Sequence, residues 1–340
     1  MDKRTIVAVD AMGGDNAPKE IIKGAVDALI NPSLEILLVG KQDLLEKELS
    51  GLSYDNKRLK IVNATEVIGM DEVPTAAIKQ KKDSSMVVAM RLVKEGAAEA
   101  VVSAGNSGAL LTGATLIIGR IKGIDRPALG TCLPNENGYT FLIDSGANMD
   151  CKPQYLPQFA LMGSVYMESI QKVKNPKVGL INVGAEKEKG NALTKDAYEL
   201  LEKYPGINFT GNVEARYIPK CQVDVAVCDA FVGNVVLKLT EGLASSLMRM
   251  IKRALMSSTK AKLGALLIKG SLKELSKGFD YAEVGGAPFL GLKSIVIKAH
   301  GSSNAKAVKN AVGQAYAFAS LNLSAEIEKR LAAQGNTESE

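Results

Sequence analysis

Aromatic residues and histidine are scarce in this 340-residue chain. Tryptophan is absent, aromatic residues make up 5% of the sequence, and histidine occurs once, at His300. A core with so few rings must be built mainly from aliphatic side chains, as in a parallel sheet covered by helices. The four cysteines show no Cys-x-x-Cys spacing, so no zinc site is predicted. We therefore expect a reduced, cytoplasmic chain with neither a metal nor an organic cofactor.

Several well-known motifs are also missing. The sequence has no Gly-x-Ser-x-Gly elbow, no Gly-x-x-x-x-Gly-Lys-Ser/Thr loop, and no Gly-x-Gly-x-x-Gly after its first apolar run. These absences argue against a hydrolase elbow, a P-loop and a nicotinamide site. The uncharged stretch 100–119 carries polar residues and glycines, and Asp10 interrupts the apolar N-terminus. We therefore expect neither a transmembrane helix nor a signal peptide.

The charge balance is mildly basic, with a net charge of +5 and a pI near 8.8. This excess suits phosphate or an acidic partner protein. It is weaker than the usual footprint of a nucleic-acid-binding protein, so no nucleic-acid partner is expected.

One pattern recurs along the chain: a short aliphatic run, a polar loop rich in glycine, and in most cases a helical pattern. Unalternating aliphatic runs are typical of buried parallel strands, and their alternation with helices predicts a doubly wound, Rossmann-like α/β fold. In a largely parallel sheet the polar loops would share the carboxyl edge, where ligands bind. We expect a single domain over residues 1–335 and a frayed tail over 336–340. The predicted strands are 6–9, 100–102, 141–143, 178–181, 225–227 and 295–297.

These loops form the candidate phosphate site. The free N–H groups and dipole of a helix N-terminus bind anions, and glycine lets the backbone approach phosphate oxygens. Any single loop is explained as well by helix capping, whereas the whole set favours a binding role. The candidates for binding substrate or phosphate are Asp10, Gly13, Gly14, Asp15, Ser103, Gly105, Asn106, Ser107, Gly108, Arg126, Asp144, Gly301, Ser302 and Ser303.

A few reactive side chains have competing interpretations. Lys187 and Lys189 could supply a cation to phosphate or to a developing oxyanion, or could be solvated surface lysines. His300 could donate a hydrogen bond to phosphate or to an acyl carbonyl, or could simply pack its loop. Cys228, at a strand end, is a candidate nucleophile, although a buried structural thiol is the more ordinary interpretation.

A basic, leucine-rich stretch over about 239–280 predicts a helical pair that projects from the body. Leu239, Leu243, Leu247 and Ile251 are spaced four apart on one helix face. The following part could contact anionic lipid, an acidic partner protein or a second subunit. Its candidate contact residues are Lys262, Leu266, Leu267, Lys269 and Lys273.

Several longer blocks resemble the PlsX-type phosphate acyltransferases of bacterial phospholipid synthesis, and together they cover nearly the whole chain. Two departures stand out: Ala230 replaces the glycine usual in Asp-Gly-Phe, and Tyr217 replaces a common aspartate. The blocks are residues 9–18, 103–110, 119–129, 182–184, 211–216, 233–234, 285–288 and 300–303.

The resemblance implies transfer of a fatty acyl group from acyl carrier protein to inorganic phosphate, giving an acyl phosphate that feeds glycerol-3-phosphate acylation. It also implies a homodimeric α/β fold related to phosphotransacetylases and isocitrate-type dehydrogenases, with peripheral membrane association. A direct attack of bound phosphate on the thioester is expected, with Lys189, Asn234 and His300 as catalytic candidates. A dehydrogenase on a similar fold and a non-catalytic scaffold for a downstream glycerol-3-phosphate acyltransferase are the alternatives.

Overall fold

The structure, a computed structural model, describes residues 4–272 and 281–337. Its strands are β1 (Thr5–Asp10), β2 (Leu34–Gly40), β3 (Leu59–Asn63), β4 (Ala100–Ser103), β5 (Ala128–Asn135), β6 (Gly138–Ile143), β7 (Lys177–Asn182), β8 (Asn208–Glu214), β9 (Val225–Val227), β10 (Gly286–Leu290) and β11 (Ile295–Ala299). All six strands predicted from the sequence are present, each within two residues at the carboxyl end.

The helices fill the connections between strands. They are α1 (Lys19–Ala28), α2 (Gln42–Leu49), α3 (Pro74–Gln80), α4 (Ser85–Lys94), α5 (Ser107–Gly113), α6 (Tyr155–Ser169), α7 (Ala192–Lys203), α8 (Ala230–Leu255), α9 (Thr259–Leu267), α10 (Tyr281–Val284), α11 (Ala305–Ser320) and α12 (Leu323–Thr337). A π-helical segment, Ala114–Ile118, follows α5, and a 3₁₀ segment, Ala215–Lys220, follows β8.

The eleven strands form a single sheet in the order β3-β2-β1-β4-β11-β10-β5-β6-β9-β7-β8. Strands β3, β2, β1, β4 and β11 are parallel to one another, and so are β6, β9, β7 and β8. Three antiparallel pairs, β11–β10, β10–β5 and β5–β6, connect the two groups. The groups therefore run in opposite directions, and the expectation that every polar loop shares one carboxyl edge is wrong.

The core is aliphatic, as the shortage of aromatic residues predicts. Its largest cluster fills one face of the sheet under α1, α6 and α11, with a second cluster under α4 and α5. Phe141 on β6 stacks on Tyr166 of α6 with ring centroids 4.0 Å apart. This packing fixes β6, and with it the loop that begins at Asp144.

The predicted helical projection is present, with a different start. Helix α8 begins at Ala230 because the carboxylate of Asp229 caps it, accepting the Val232 N–H at 3.0 Å. Within α8 only Ala230 and Gly233 are buried, and no residue of α9 is buried. Residues 273–280 of the predicted projection, including Lys273, lie outside the described residues. The single domain over 1–335 stays a prediction; α12 ends at Thr337, within the predicted tail.

Candidate active site

Three loops, which follow β1, β4 and β11, pack directly against one another. A Cβ at Gly13 would lie 2.7 Å from the Gly105 backbone nitrogen. At Gly14, whose φ is +101°, a Cβ would lie 2.9 Å from the Gly301 carbonyl oxygen. Asp15 donates its backbone N–H to that carbonyl at 2.8 Å. The two glycines are therefore needed for close contact between loops, and the sequence prediction that these loops come together is correct.

Asp10 lies at the end of β1 and holds two of these loops through hydrogen bonds. Its buried carboxylate accepts the Ser103 hydroxyl at 2.6 Å and the Met12 N–H at 3.2 Å. The Ser103 hydroxyl in turn accepts the Gly105 N–H at 3.0 Å. Burial raises the pKa of Asp10, and these hydrogen bonds act in the opposite direction. Asp10 and Ser103 thus shape the loop backbone from below.

The loop that follows β11 satisfies much of its own polar backbone. The Ser302 N–H donates to His300 Nδ1 at 3.2 Å, and the Ser303 N–H donates to the His300 carbonyl at 3.0 Å. At the N-terminus of α11, the Ala305 N–H donates to a Glu20 carboxylate oxygen at 2.7 Å. Because a carboxylate already occupies this helix end, phosphate would have to meet the loop at Gly301 and His300.

Asn106 and Asp144 organise loops in a similar way. Asn106 caps α5 by accepting the Ala109 N–H at 3.0 Å, and its amide donates to three backbone carbonyls of residues 69–72. Asp144 is buried and accepts the backbone N–H groups of Leu129, Gly146, Ala147 and Asn148 at 2.9–3.2 Å. Burial raises the pKa of Asp144. Helix capping accounts for Asn106, and Asp144 holds the loop that follows β6.

The first turn of α8 brings Asn234 to the site. The Asn234 amide donates to the Ser145 carbonyl at 3.4 Å. Gly233 makes this approach feasible, because a Cβ there would lie 1.9 Å from the Asp144 carbonyl oxygen. Ala230, where the resembled family usually has glycine, is fully buried at the start of the helix.

A cavity of about 550 Å³ opens where these elements meet. The predicted residues Asp15, Ser107, Asn234, His300 and Gly301 line it, together with Ser145, Gly146 and Lys298. Its apolar lining comes from Leu129, Leu133 and Pro134 of β5, Leu237 and Ala244 of α8, and Val284. Lys238 and Glu241 of α8 also line it and pair with each other at 2.7 Å. One cavity thus combines hydrogen-bond donors and cations with apolar side chains suited to a hydrocarbon chain.

His300 presents a neutral imidazole at this cavity. Its Nδ1 accepts a backbone N–H and lies 2.8 Å from the Ser302 hydroxyl oxygen, so the ring proton belongs on Nε2. Burial lowers the pKa of His300, and the cations of Lys238 and Lys298 lower it further. A neutral ring with a fixed tautomer can donate a hydrogen bond to a carbonyl or to phosphate.

Lys298 is one of several cavity residues that sequence reasoning missed as site residues. It is 9% exposed at the end of β11, and its ammonium donates to the carbonyls of Ala104, at 3.4 Å, and Ala299. Burial lowers its pKa to about 8, although Asp10 and Asp15 act in the opposite direction. The sequence did contain a signal for this site: Lys298 directly follows the aliphatic run 295–297, and a lysine is rarely buried unless its charge has a partner.

Several predicted residues lie away from this cavity. Among the described residues, neither Lys189 nor Arg126 lines it, and both are exposed. Lys187 pairs with Glu202 at 2.6 Å. The remaining candidates that do not line the cavity are Asp10, Gly13, Gly14, Ser103, Gly105, Asn106, Gly108, Asp144, Ser302 and Ser303, most of which support the loops that do.

The cysteines give no sign of an activated thiolate. Cys228 is buried, and burial raises its pKa well above the ordinary value, with Asp229 and Asp144 adding to the effect. Cys132 lines the cavity, and burial raises its pKa to about 11. A thiolate is the nucleophilic form, so both side chains are poor nucleophiles at neutral pH.

The candidate contact residues of the projection that the structure describes are exposed. They are Lys262, Leu266, Leu267 and Lys269, and Leu267 is 87% exposed. In the part of the chain that is described, none of the helices combines the length and the apolar character that a membrane crossing needs.

Comparisons with known proteins show which family the chain resembles and which fold it shares. The chain matches, over residues 5–326, the family described as "Fatty acid synthesis protein". It is 53% identical over 327 residues to the phosphate acyltransferase of Clostridium acetobutylicum, covering 96% of this chain and 98% of the relative. It is also 50% identical over 334 residues to the phosphate acyltransferase of Alkaliphilus oremlandii, and the match covers 98% of this chain and 99% of that relative. A phosphotransacetylase structure from Streptococcus pyogenes superposes with a TM-score of 0.63 at 18% identity, covering 93% and 94%, which confirms the Rossmann-like α/β prediction.

Proposed function

Since this chain belongs to the phosphate acyltransferase family of fatty acid synthesis, we propose that it transfers a fatty acyl group from acyl carrier protein to inorganic phosphate. Because this family consists of acyltransferases of lipid synthesis, the dehydrogenase and scaffold alternatives are dropped. The acyl donor, the mechanism and the partner molecules are what we propose beyond the family.

The observation that carries the proposal is a cavity lined by both polar and apolar side chains. Ser107, Asn234 and His300 offer donors, while Leu129 and Leu133 of β5 and Leu237 of α8 supply apolar surface. A fatty acyl thioester needs both: an apolar surface for the chain and donors near the carbonyl where negative charge develops. The mild basic charge of +5 suits both phosphate and an acidic carrier protein.

The proposed reaction is one displacement. A phosphate oxygen attacks the thioester carbonyl carbon, forming a C–O bond and a tetrahedral oxyanion. The C–S bond then breaks, and the departing sulfur takes the proton that phosphate loses, giving acyl phosphate and the carrier thiol. Asn234 and the His300 Nε2–H lie where they could stabilise the oxyanion, and Gly301 and Ser107 could position the phosphate.

This mechanism requires no covalent acyl-enzyme. We expect mass spectrometry of protein mixed with acyl carrier thioester, without phosphate, to find no acylated cysteine. Acyl groups on Cys228 or Cys132 at a catalytically competent rate would refute direct attack.

Substitutions test the catalytic candidates separately. Asn234→Ala should lower turnover about 10²-fold or more, as loss of an oxyanion donor does. Lys189→Ala separates the sequence prediction from the geometry, because Lys189 is exposed away from the cavity. Unchanged activity would remove Lys189 from the mechanism.

The donor is tested with purified protein, labelled phosphate and the same acyl group on either acyl carrier protein or coenzyme A. Acyl phosphate formed much faster from the carrier protein is the expected result. Equal rates from both donors would refute a dedicated carrier-protein donor. No product from either, with the thioesters intact, would refute phosphate as the acceptor.

We propose that α8 forms a homodimer interface. Leu239, Leu243 and Leu247 are 52–68% exposed on one face of the helix. A solvent-facing stripe of this kind is typical of a surface that another molecule covers. Light scattering should give a dimer mass for the wild type and a monomer for Leu243→Glu; a monomeric wild type would contradict the proposal.

We further propose a cytoplasmic location with peripheral membrane contact through α9, which would deliver acyl phosphate to a membrane-bound glycerol-3-phosphate acyltransferase. Leu266 and Leu267 are exposed beside Lys262 and Lys269. In flotation with anionic vesicles, changing both leucines to Ser should abolish co-flotation. Undiminished binding would rule out this surface.

A further inference from the structure

Lys298 carries a buried positive charge that forms no ion pair among the described residues, although Asp10 and Asp15 lie near enough to raise its pKa. Its side chain lines the cavity, and it is 9% exposed. Among the described residues, no carboxylate oxygen lies within the 4.0 Å ion-pair distance of its ammonium, whose observed partners are two backbone carbonyls. An ammonium has three donors, so one remains for a further acceptor.

A bound anion would resolve this imbalance. Burying an unpaired charge is costly, whereas a buried charge with a partner and full hydrogen bonding is tolerated. The surroundings select the anion: Gly301 and Ser107 lie around the same space, as does the neutral His300 ring. These groups suit a small tetrahedral oxyanion with several acceptor oxygens.

We infer that Lys298 is the cation that binds the acceptor phosphate, holding it between the ends of β4 and β11 for attack on the thioester. This role rests on the proposed function and adds to it a residue that positions the nucleophile. Lys298 ties two loops at once, since its ammonium contacts carbonyls at the ends of both strands. Phosphate would therefore be placed by the two loops whose packing depends on Gly13 and Gly14.

Two variants and a control test this inference by steady-state kinetics with phosphate varied. Lys298→Met removes the charge and keeps the length of the side chain, and Lys298→Arg keeps the charge. Lys293→Met serves as control, because Lys293 is exposed at the other end of β11. We expect Lys298→Met to raise the KM for phosphate at least tenfold, with kcat at saturating phosphate within about threefold, as loss of a charge-assisted hydrogen bond predicts. Lys298→Arg should recover part of this loss and Lys293→Met should match the wild type.

An unchanged KM for phosphate in folded Lys298→Met would overturn the inference, and so would a fall in kcat alone.

If Lys298→Met does not fold, a second measurement on the wild type tests the inference: calorimetric titration with inorganic phosphate in the absence of the acyl donor. Phosphate affinity should weaken by up to tenfold per pH unit above about pH 8, where the free lysine loses its proton. His300, whose pKa burial lowers below the ordinary histidine value, is already neutral in this range and would not produce this slope. Affinity independent of pH from 8 to 9.5 would refute the role.

The two proposals fail in different ways. If the wild type binds phosphate at Lys298 but makes no acyl phosphate, the proposed function fails and the phosphate site stands. If acyl phosphate forms and the Lys298 variants keep the wild-type KM for phosphate, the proposed function stands and the inference fails.

Discussion

Replacing Lys298 by methionine should reveal the cost of burying its charge, independently of any activity. The ordinary lysine pKa is 10.5, and burial lowers that of Lys298 to about 8. At about 1.4 kcal/mol per pKa unit, this difference corresponds to about 3 kcal/mol of destabilisation while the group is charged. Lys298→Met lacks this penalty, although it leaves the carbonyls of Ala104 and Ala299 without their donor.

The pH dependence separates these two effects. Below pH 8, Lys298 is protonated in both the folded and the unfolded chain, and the full penalty applies. Between pH 8 and 10.5 the unfolded chain binds more protons than the folded one, so wild-type stability rises with pH relative to the variant. The lost hydrogen bonds contribute a difference that does not change with pH. From pH 7 to 9.5 we expect the wild type to gain about 2 kcal/mol on Lys298→Met.

Urea unfolding of both proteins at pH 7, 8, 9 and 9.5 measures this gain. The buffers must be free of phosphate, because any anion that binds the folded state would stabilise the wild type by mass action. Lys293→Met, at an exposed site, should follow the wild type at every pH. A wild-type to Lys298→Met difference that stays constant from pH 7 to 9.5 would show that the ammonium is not desolvated, and would refute the reasoning.

Two further substitutions test the packing that supports the site. Gly233→Ala should destabilise the protein by about 1–3 kcal/mol or more in urea unfolding, because its Cβ would collide with the Asp144 carbonyl; Gly313→Ala, where a Cβ meets nothing within 4 Å, is the matched control. Equal stability of the two would contradict the close contact. Phe141→Ala should cost about 3–5 kcal/mol, since it empties a fully buried position and removes the stack on Tyr166. A loss below about 1 kcal/mol would mean that this ring does not fix β6.

Predictions from the sequence were most accurate for features that a short, local sequence pattern specifies. Aliphatic runs such as 225–227 and 100–102 are buried strands because they bury unalternating β-branched side chains on both faces of the sheet. Helix α1, Lys19–Ala28, follows the first polar loop, as the recurring pattern of strand, loop and helix predicts. The glycine loops after β1, β4 and β11 were expected to meet, and they do, since neighbouring parallel strands deliver their carboxyl ends to one place.

Some strands were not predicted because no local sequence pattern distinguishes them. Strands β5 and β10 both contain a proline, Pro134 and Pro288, a residue that argues against a strand inside a sheet. Those two strands reverse the direction of the sheet, so the loops after β6 and β7 do not share an edge with the loops after β1 and β4. Lys189, in the loop after β7, is exposed and outside the cavity, whereas Ser145 and Gly146, in the loop after β6, line it.

The sequence by itself determined the α/β class, the aliphatic core and the glycines that let three loops touch, because strand and helix periodicities and backbone freedom are properties of short segments. Only the tertiary structure decided which polar groups face the cavity. Asp144 looked like a site residue and holds a loop, whereas Lys298 looked like the end of a strand and faces the cavity. Burial, hydrogen-bond satisfaction and the resulting pKa depend on residues far apart in the chain, as the contact between Lys298 and the Ala104 carbonyl illustrates.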